Sequence, residues 1–427
     1  MENKEGYKKT KIGWIPADWD LRLLKDVAEI NKSSLSNNTA KDFELLYIDI
    51  ASIIRPGHIS PPSKYLYADA PVRARRVVEY GDVIISTVRP YLKAFATIPW
   101  KQKNLVCSTG FAVISSNGKC SNEYIFQYSL SDYFQNQVSQ MLVGSNYPAI
   151  NSTDVKNILI PAPPLPEQKK IADILTTVDD KISSIDSQIQ QTEQLKKGLM
   201  EKLLTEGIGH TEYKETEIGR IPVGWDVVKL KKMALDEKNS FVNGPFGSNL
   251  LSTELTTSGV PVIYIRDIVS TKYKWRSNVF ITPEKSNELF YCNVQKNDVL
   301  ITKVGMPPGQ ATVYPKTERA IITQDVIRIR PSQNVISIFL ALLLNSDYAK
   351  KEINKIEITG TRTRFSLTEY KKIKLPCPSF QEQKQIATIL STVDDKLDIL
   401  TQKKSHYQTL KKGLSQQLLT GQMRVKV

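Results

Sequence analysis

Two stretches of the chain place apolar residues at heptad spacing over unusual lengths. In the first, Ile171, Leu175, Val178, Ile182, Ile185 and Ile189 follow a 4-3-4-3-4 pattern, Thr192 and Lys196 interrupt it, and Leu199 and Leu203 resume it in register. The second carries Ile386, Leu390, Val393, Leu397 and Leu400, then Lys404, Tyr407 and Lys411, then Leu414 and Leu418. A seam of this kind wants a partner helix, and pairing of the two helices with each other satisfies both. A helix from Glu167 to Leu203 would be ~55 Å long. Ahead of each helix lies a mixed region with apolar runs of strand length, at 45–50, 83–85, 260–265 and 326–329. Turn signals punctuate these runs (Pro56-Gly57, Asn117-Gly118, Asn243-Gly244-Pro245, Pro308-Gly309), and single helices are expected over 123–140 and 336–355. Proline hinges at Pro161, Pro163, Pro164 and Pro166, and at Pro376 and Pro378, are expected to end a strand and set up the long helix.

The two halves are copies. Ile12-Gly13-Trp14-Ile15-Pro16 to Trp19-Asp20 recurs as Ile218-Gly219-Arg220-Ile221-Pro222 to Trp225-Asp226, 206 residues on. Gly81-Asp82-Val83 matches Asn297-Asp298-Val299, and Ser131-Asp132-Tyr133 matches Ser346-Asp347-Tyr348. Glu167-Gln168-Lys169 and Val178-Asp179-Asp180-Lys181 return as Glu382-Gln383-Lys384 and Val393-Asp394-Asp395-Lys396. Leu195-Lys196-Lys197-Gly198-Leu199 returns as Leu410-Lys411-Lys412-Gly413-Leu414. The order of parts is circular: the first twenty residues resemble the segment that follows the first long helix. They would supply the piece missing after the second, with the termini close together.

Composition narrows the function. The 427 residues are 41% hydrophobic and 24% charged, and carry a formal net charge of +14, which suits a polyanionic partner. The excess is localised: residues 21–160 hold 15 Lys and Arg against 11 Asp and Glu, residues 227–375 hold 23 against 13, and the remainder is neutral. Two basic modules are indicated. A leader peptide and a membrane span are not expected, so the chain reads as cytoplasmic. Four scattered cysteines (Cys107, Cys120, Cys292, Cys377) and three histidines (His58, His210, His406) give no disulfide framework or metal-ligand spacing. No GxxxxGK[ST] loop is present, and Gly118-Lys119-Cys120 has the wrong context. In Gly244-Pro245-Phe246-Gly247-Ser248 the proline removes an amide donor from any phosphate cradle. Asp179-Asp180 points two ways on a helix and reads as a salt-bridged face rather than a metal site. Catalytic residues, metal and cofactor are therefore all expected to be absent.

DNA binding needs cations for phosphates and forked donors for base edges. The first module offers Arg73, Arg75 and Arg76, then Arg89, Tyr91 and Lys93, then Asn146 and Tyr147. The second offers Asn243, Ser248, Lys272, Lys274, Trp275, Arg276 and Lys303, then Arg362, Thr363 and Arg364 in the same relative place as the Asn146 stretch. Double-stranded DNA is the expected ligand. Two diverged modules on repeated helices would read two different half-sites, about one duplex turn (~34 Å) apart.

These motifs identify the chain as resembling the specificity subunit of type I restriction-modification enzymes over nearly its whole length. The resemblance is carried by the paired IGxIPxxW-like segments, the Pro-x-Pro hinges with Glu-Gln-Lys, the VDDK and LKKGL helices, and Gly244-Pro245-Phe246-Gly247-Ser248-Asn249-Leu250. It implies an α/β (α+β) fold of two similar target-recognition domains joined by two long helices in an antiparallel coiled coil, with pseudo-two-fold circular organisation. The expected parts are an N-terminal arm (1–20), a first recognition domain (21–160), a hinge and first spacer helix (161–206), a second recognition domain with its lead-in (207–375), and a hinge and second spacer helix (376–427). The resemblance also implies two modification subunits as partners, which hold the S-adenosylmethionine site, and ATP-dependent restriction subunits. A stand-alone DNA-binding regulator and a helical assembly scaffold are the alternatives the residues leave open.

Overall fold

The computed structural model describes residues 5–144, 147–269, 272–305, 307–358, 360 and 362–426. Two compact units are present, one formed by Met1–Ser187 with Gln402–Val427 and the other by Gln188–Thr401. Each long helix, Leu165–Thr205 and Phe380–Leu418, contributes to both.

Both units contain the same pair of four-stranded sheets. In the first unit, one sheet runs Phe95–Thr97, Val83–Ser86, Phe111–Ser116, Ala28–Ile30, antiparallel throughout. The other runs Ser63–Leu66, Glu44–Ile48, Leu105–Ser108, Ala74–Val77, with Glu44–Ile48 and Leu105–Ser108 parallel. The second unit repeats the scheme. Phe241–Asn243, Val326–Ile329, Val299–Thr302 and Ala311–Val313 form the antiparallel sheet. Phe280–Ile281, Val260–Ile263, Ala320–Ile322 and Asn293–Val294 form the other, again with a central parallel pair. Strands such as Val83–Ser86 and Val299–Thr302 are buried at every position, which is why they read as unbroken apolar runs rather than alternating ones.

Two expectations are corrected. The helix expected over 123–140 is two, Asn122–Ser129 and Asp132–Met141, and that over 336–355 is Ser337–Leu344 and Asp347–Ile356. The break is the repeated Ser-Asp-Tyr: Ser131 Oγ accepts from Phe134 N at 3.2 Å, and Ser346 Oγ from Ala349 N at 3.5 Å, so each serine caps a new helix. The hinges do close the strands, which stop just before Pro163 and Pro378 and give way to the long helices, but the first proline of each hinge lies inside its strand. Strands Leu159–Ala162 and Lys374–Cys377 run through Pro161 and Pro376, because each belongs to a two-stranded pair in which one missing donor is tolerated.

The repeated motifs are joints. Gly13 and Gly219 turn the lead-in hairpins with φ of +113° and +106°. Trp19 is fully buried and donates from Nε1 to Glu167 Oε2 at 3.1 Å; Trp225 donates to Glu382 Oε2 at 2.9 Å. Gln168 Nε2 donates to Pro163 O (2.8 Å) while its Oε1 accepts from Ser121 N (2.8 Å), and Gln383 does the same with Pro378 O and Ile336 N, both at 3.0 Å. In the first unit the carboxylate of Glu167 also takes Arg424 at 2.7 Å, which in turn holds Asp18 at 2.9 Å, and Tyr7 donates to Gly421 O at 2.9 Å. The C-terminal segment therefore packs on the N-terminal lead-in. In the second unit, Ile208 N and His210 fill the same role on Glu382, both at 2.9 Å.

The helices pair antiparallel inside each unit. Asp179 meets Lys411 and Asp186 meets Lys404 in the first, both at 2.6 Å; Lys196 meets Asp394 at 2.6 Å in the second. The polar interruptions of the seam are thus matched charges, and Thr192 returns its hydroxyl to Gln188 O.

Candidate nucleic-acid interface

In the first unit, buried strand Val83–Ser86 delivers the chain to the sheet's end, where residues 87–94 turn back into Phe95–Thr97. Thr87 N donates to Gly110 O at 2.8 Å, Val88 bridges Ala149, and Arg89 N donates to Pro148 O at 2.8 Å. This ties the 87–93 loop to the loop before Ile150. Arg89 sits 4.7 Å over the Tyr147 ring, and Tyr91 and Tyr147 are exposed. Arg73 joins the same end: Thr109 N donates to its carbonyl at 2.9 Å, one residue from the Gly110 that holds Thr87. Arg73, Arg89, Tyr91 and Tyr147 are therefore brought together.

Their neighbours are differently engaged. Arg75 lies 4.8 Å over Tyr67. Arg76 stands opposite Cys107 in the sheet, half-buried, and burial lowers its pKa. Lys93 turns inward, its Nζ donating to Leu130 O at 2.8 Å, and burial lowers its pKa as well. Asn146 lies outside the described residues.

The second unit builds the same loop pair with other residues. Lys303 N donates to Asp325 O at 2.8 Å, Val304 bridges Arg364, and Gly305 N donates to Thr363 O at 3.2 Å. Each contact matches one in the first unit, 215 or 216 residues on. Lys303, Thr363 and Arg364 are thus assembled, and Arg362 and Arg364 are exposed. Asn243 closes an edge strand at the same end of the sheet, opposite Ile327, and its Nδ2 donates to Gly244 O at 3.0 Å. Gly244 is packed so tightly that a Cβ there would lie 2.3 Å from Ile322 O. That close approach throws Phe246, Gly247 and Ser248 outward, all exposed.

The aromatic-cation run of the second unit is divided. Buried Asp267 accepts from Arg276 N (2.6 Å), Ser277 N (2.8 Å) and Ser277 Oγ (2.6 Å), which wraps the segment and leaves Lys274 and Arg276 exposed. Trp275 meets Phe280 edge-on at 5.0 Å beneath Lys316, and Lys272 is paired with Asp398 on the second long helix. Arg55 makes the corresponding tie in the first unit, to Asp186 and Ser183, both at 2.7 Å. Lys272 and Trp275 are therefore held by their own unit, apart from the loop pair.

Sequence reading passed over Leu92 and Phe246, exposed apolar residues among these cations; neither has a charge signature, and only the turn geometry reveals them. Among the described residues no His, Cys, Asp and Glu cluster could hold a metal, and no helix is long and apolar enough to cross a membrane.

Residues 16–194 and 222–406 match the family described as type I restriction modification DNA specificity domain. A putative MjaX specificity subunit of Methanocaldococcus jannaschii is 28% identical over 99% of this chain and 98% of its own length. The MjaVIII specificity subunit of the same organism is 31% identical over 76% of each chain. Among solved structures, the type I system S subunit of M. genitalium shares the fold with a TM-score of 0.59 at 15% identity, over 98% of both chains. A chain from a structure of type I system assembly and conformational transition also gives 0.59, at 23% identity, over 96% of this chain and 99% of its own.

Proposed function

The chain belongs to the family of type I restriction-modification DNA specificity proteins, and from that premise we propose that each unit reads one half of a bipartite DNA target through its paired loops. It is a specificity subunit and non-catalytic: it selects sequence, while two modification subunits and ATP-dependent restriction subunits supply the chemistry. Residues 21–160 form the first target-recognition domain, residues 207–375 the second with its lead-in, and the complex works in the cytoplasm.

The observation that carries this reading is the loop pair itself. It is built twice on the same backbone bonds, with Arg89 and Tyr147 in one copy and Lys303, Arg362 and Arg364 in the other. Arginine can fork onto guanine N7 and O6, and lysine and arginine neutralise phosphates. Different side chains on one scaffold give different half-sites, hence an asymmetric target. Arg73, Arg89 and Tyr147 serve the first half-site. Asn243, Ser248, Lys303, Arg362, Thr363 and Arg364 serve the second, with Lys274 and Arg276 on flanking phosphates.

The test is co-expression with the modification subunits followed by methylome sequencing. Methylation at one bipartite sequence only when this chain is present is the expected result. Methylation independent of the chain, or at a single uninterrupted site, overturns the reading. Arg364→Ala should weaken binding and lower the magnitude of the salt slope by about one if it contacts a phosphate; if it reads a base, it should instead relax one position of the second half-site at a cost of ~1–3 kcal/mol.

A further inference from the structure

Arg89 and Lys93 both adopt left-handed backbone, with φ of +47° and +53°, on either side of the short 3-10 turn Pro90–Leu92. A side chain in that region is strained, and such strain persists where it serves function. The turn calls for positive φ at both ends in either unit, but not for a side chain there. In the second unit the equivalent positions are Gly305 and Gly309, with φ of +157° and +87°. The equivalence is fixed by the shared bonds from Arg89 N to Pro148 O and from Gly305 N to Thr363 O. The first unit therefore keeps two strained cations where its own repeat uses glycine.

Their effect is to pin both ends of the turn. Lys93 is tethered to Leu130 O at 2.8 Å, and Arg89 is stacked over Tyr147. Pro90 is buried, and the middle is forced outward, leaving Tyr91 51% and Leu92 63% exposed. Pro308, the counterpart of Leu92, is buried. A tyrosine and a leucine turned into water between two anchored residues bury little within the unit itself.

We propose that Leu92 is a wedge that enters between adjacent base pairs of the first half-site, with Tyr91 stacked on the opened step and Lys93 as the positioning residue that sets its angle. Apolar side chains inserted in this way unstack a step and kink the duplex. Pyrimidine–purine steps open most readily, so the first half-site carries one at the wedge. Among the described residues of the equivalent loop in the second unit, the Leu92 position is the buried Pro308, so that position offers no wedge to the second half-site. The inference rests on the DNA reading above and adds a mechanism to one half of it.

The experiment uses the complete complex with its modification subunits, on duplexes carrying 2-aminopurine at successive positions of the half-site mapped by methylome sequencing. The wild-type complex is expected to raise fluorescence several-fold at one step. Leu92→Ala should abolish that rise and weaken binding about tenfold, with the salt slope unchanged. Lys93→Gly, which keeps the backbone conformation but removes the tether, should reduce the rise and also leave the slope unchanged; a slope lowered by about one would make Lys93 a phosphate contact and overturn its positioning role. Tight site-specific binding with no rise at any position overturns the wedge and leaves the DNA reading standing. So does a Leu92→Ala defect that disappears when a thymine methyl is removed from the site. Failure of the wild-type complex to bind any specific site overturns the DNA reading itself.

Discussion

Asp82 and Asp298 occupy the same place, just ahead of the buried strands Val83–Ser86 and Val299–Thr302, and both are buried. Each closes the turn before it, accepting from Glu79 N at 2.8 Å and from Gln295 N at 2.9 Å. Their surroundings diverge. Arg330 binds Asp298 through two bonds of 3.0 Å, and buried Arg328 stands 3.8 Å away. Among the described residues Asp82 has no ion-pair partner: burial pushes its carboxyl above the ordinary 3.8, only partly offset by hydrogen bonds from Ser115 and Glu79 N and by the more distant charge of Lys32. A carboxyl raised in the folded state contributes stability that is full below 3.8 and is lost as pH rises through the folded value. Asp82→Asn keeps an acceptor for Glu79 N, so it should flatten the pH dependence of the first unit and stabilise it at neutral pH. Asp298→Asn should have the opposite sign in stability. It strips the counter-charge from Arg328, whose pKa burial already lowers to about 10, and should destabilise the second unit by ~3–5 kcal/mol. Hydrogen exchange followed separately in the two units against pH reads both effects, and equal signs would refute the contrast.

At the scale of elements, the duplicated motifs turn out to be fasteners rather than sites. Glu382 alone holds Trp225 Nε1, Ile208 N and His210. Glu382→Ala should therefore leave buried donors unpaired and cost ~2–4 kcal/mol, loosening the lead-in hairpin Tyr213–Thr216 and Gly219–Pro222 first. Limited proteolysis should then cut near the lead-in while the sheets stay protected. The repeat itself was legible, because joints are under the same constraint in both copies and keep their letters. The seam was legible for the same reason, down to the lysines that interrupt it, though not their partners: that Lys411 faces Asp179 depends on the direction in which the helices run. The candidate site was legible only as a list of cations. Arg73 and Arg89 reach one rim through main-chain bonds to Thr109 and Pro148, and such bonds leave no trace in side-chain type. Lys93 and Lys272 read as candidate DNA contacts but are engaged by Leu130 O and Asp398. The helices expected over 123–140 and 336–355 failed on a single serine each, whose hydroxyl caps a new helix instead of continuing the old one.

For the whole molecule, charge and repetition divide the labour. The basic excess lies in the two sheet-bearing modules, and the neutral remainder contains the joints and helices. Each long helix passes from one unit into the other, so changing helix length should change the separation of the half-sites without altering what either unit reads. The ion pairs impose a condition on changing it. Asp179–Lys411 and Lys196–Asp394 share one antiparallel register, each pair being the other's equivalent after the 215-residue shift. Four residues inserted into the first helix alone, between Ile185 and Gln194, would put one of these pairs out of step. Matched insertions of four residues in both helices, the second between Leu400 and Thr409, keep both pairs. The matched variant should methylate a target with unchanged half-sites and a longer unread spacer. The single insertion should give the same shift only with reduced stability, by part of the ~3–5 kcal/mol that breaking a fully buried pair would cost. Methylome sequencing of the two variants, beside their melting temperatures, checks this. An unchanged spacer in the matched variant would show that the helices do not set the distance, whatever the two units read.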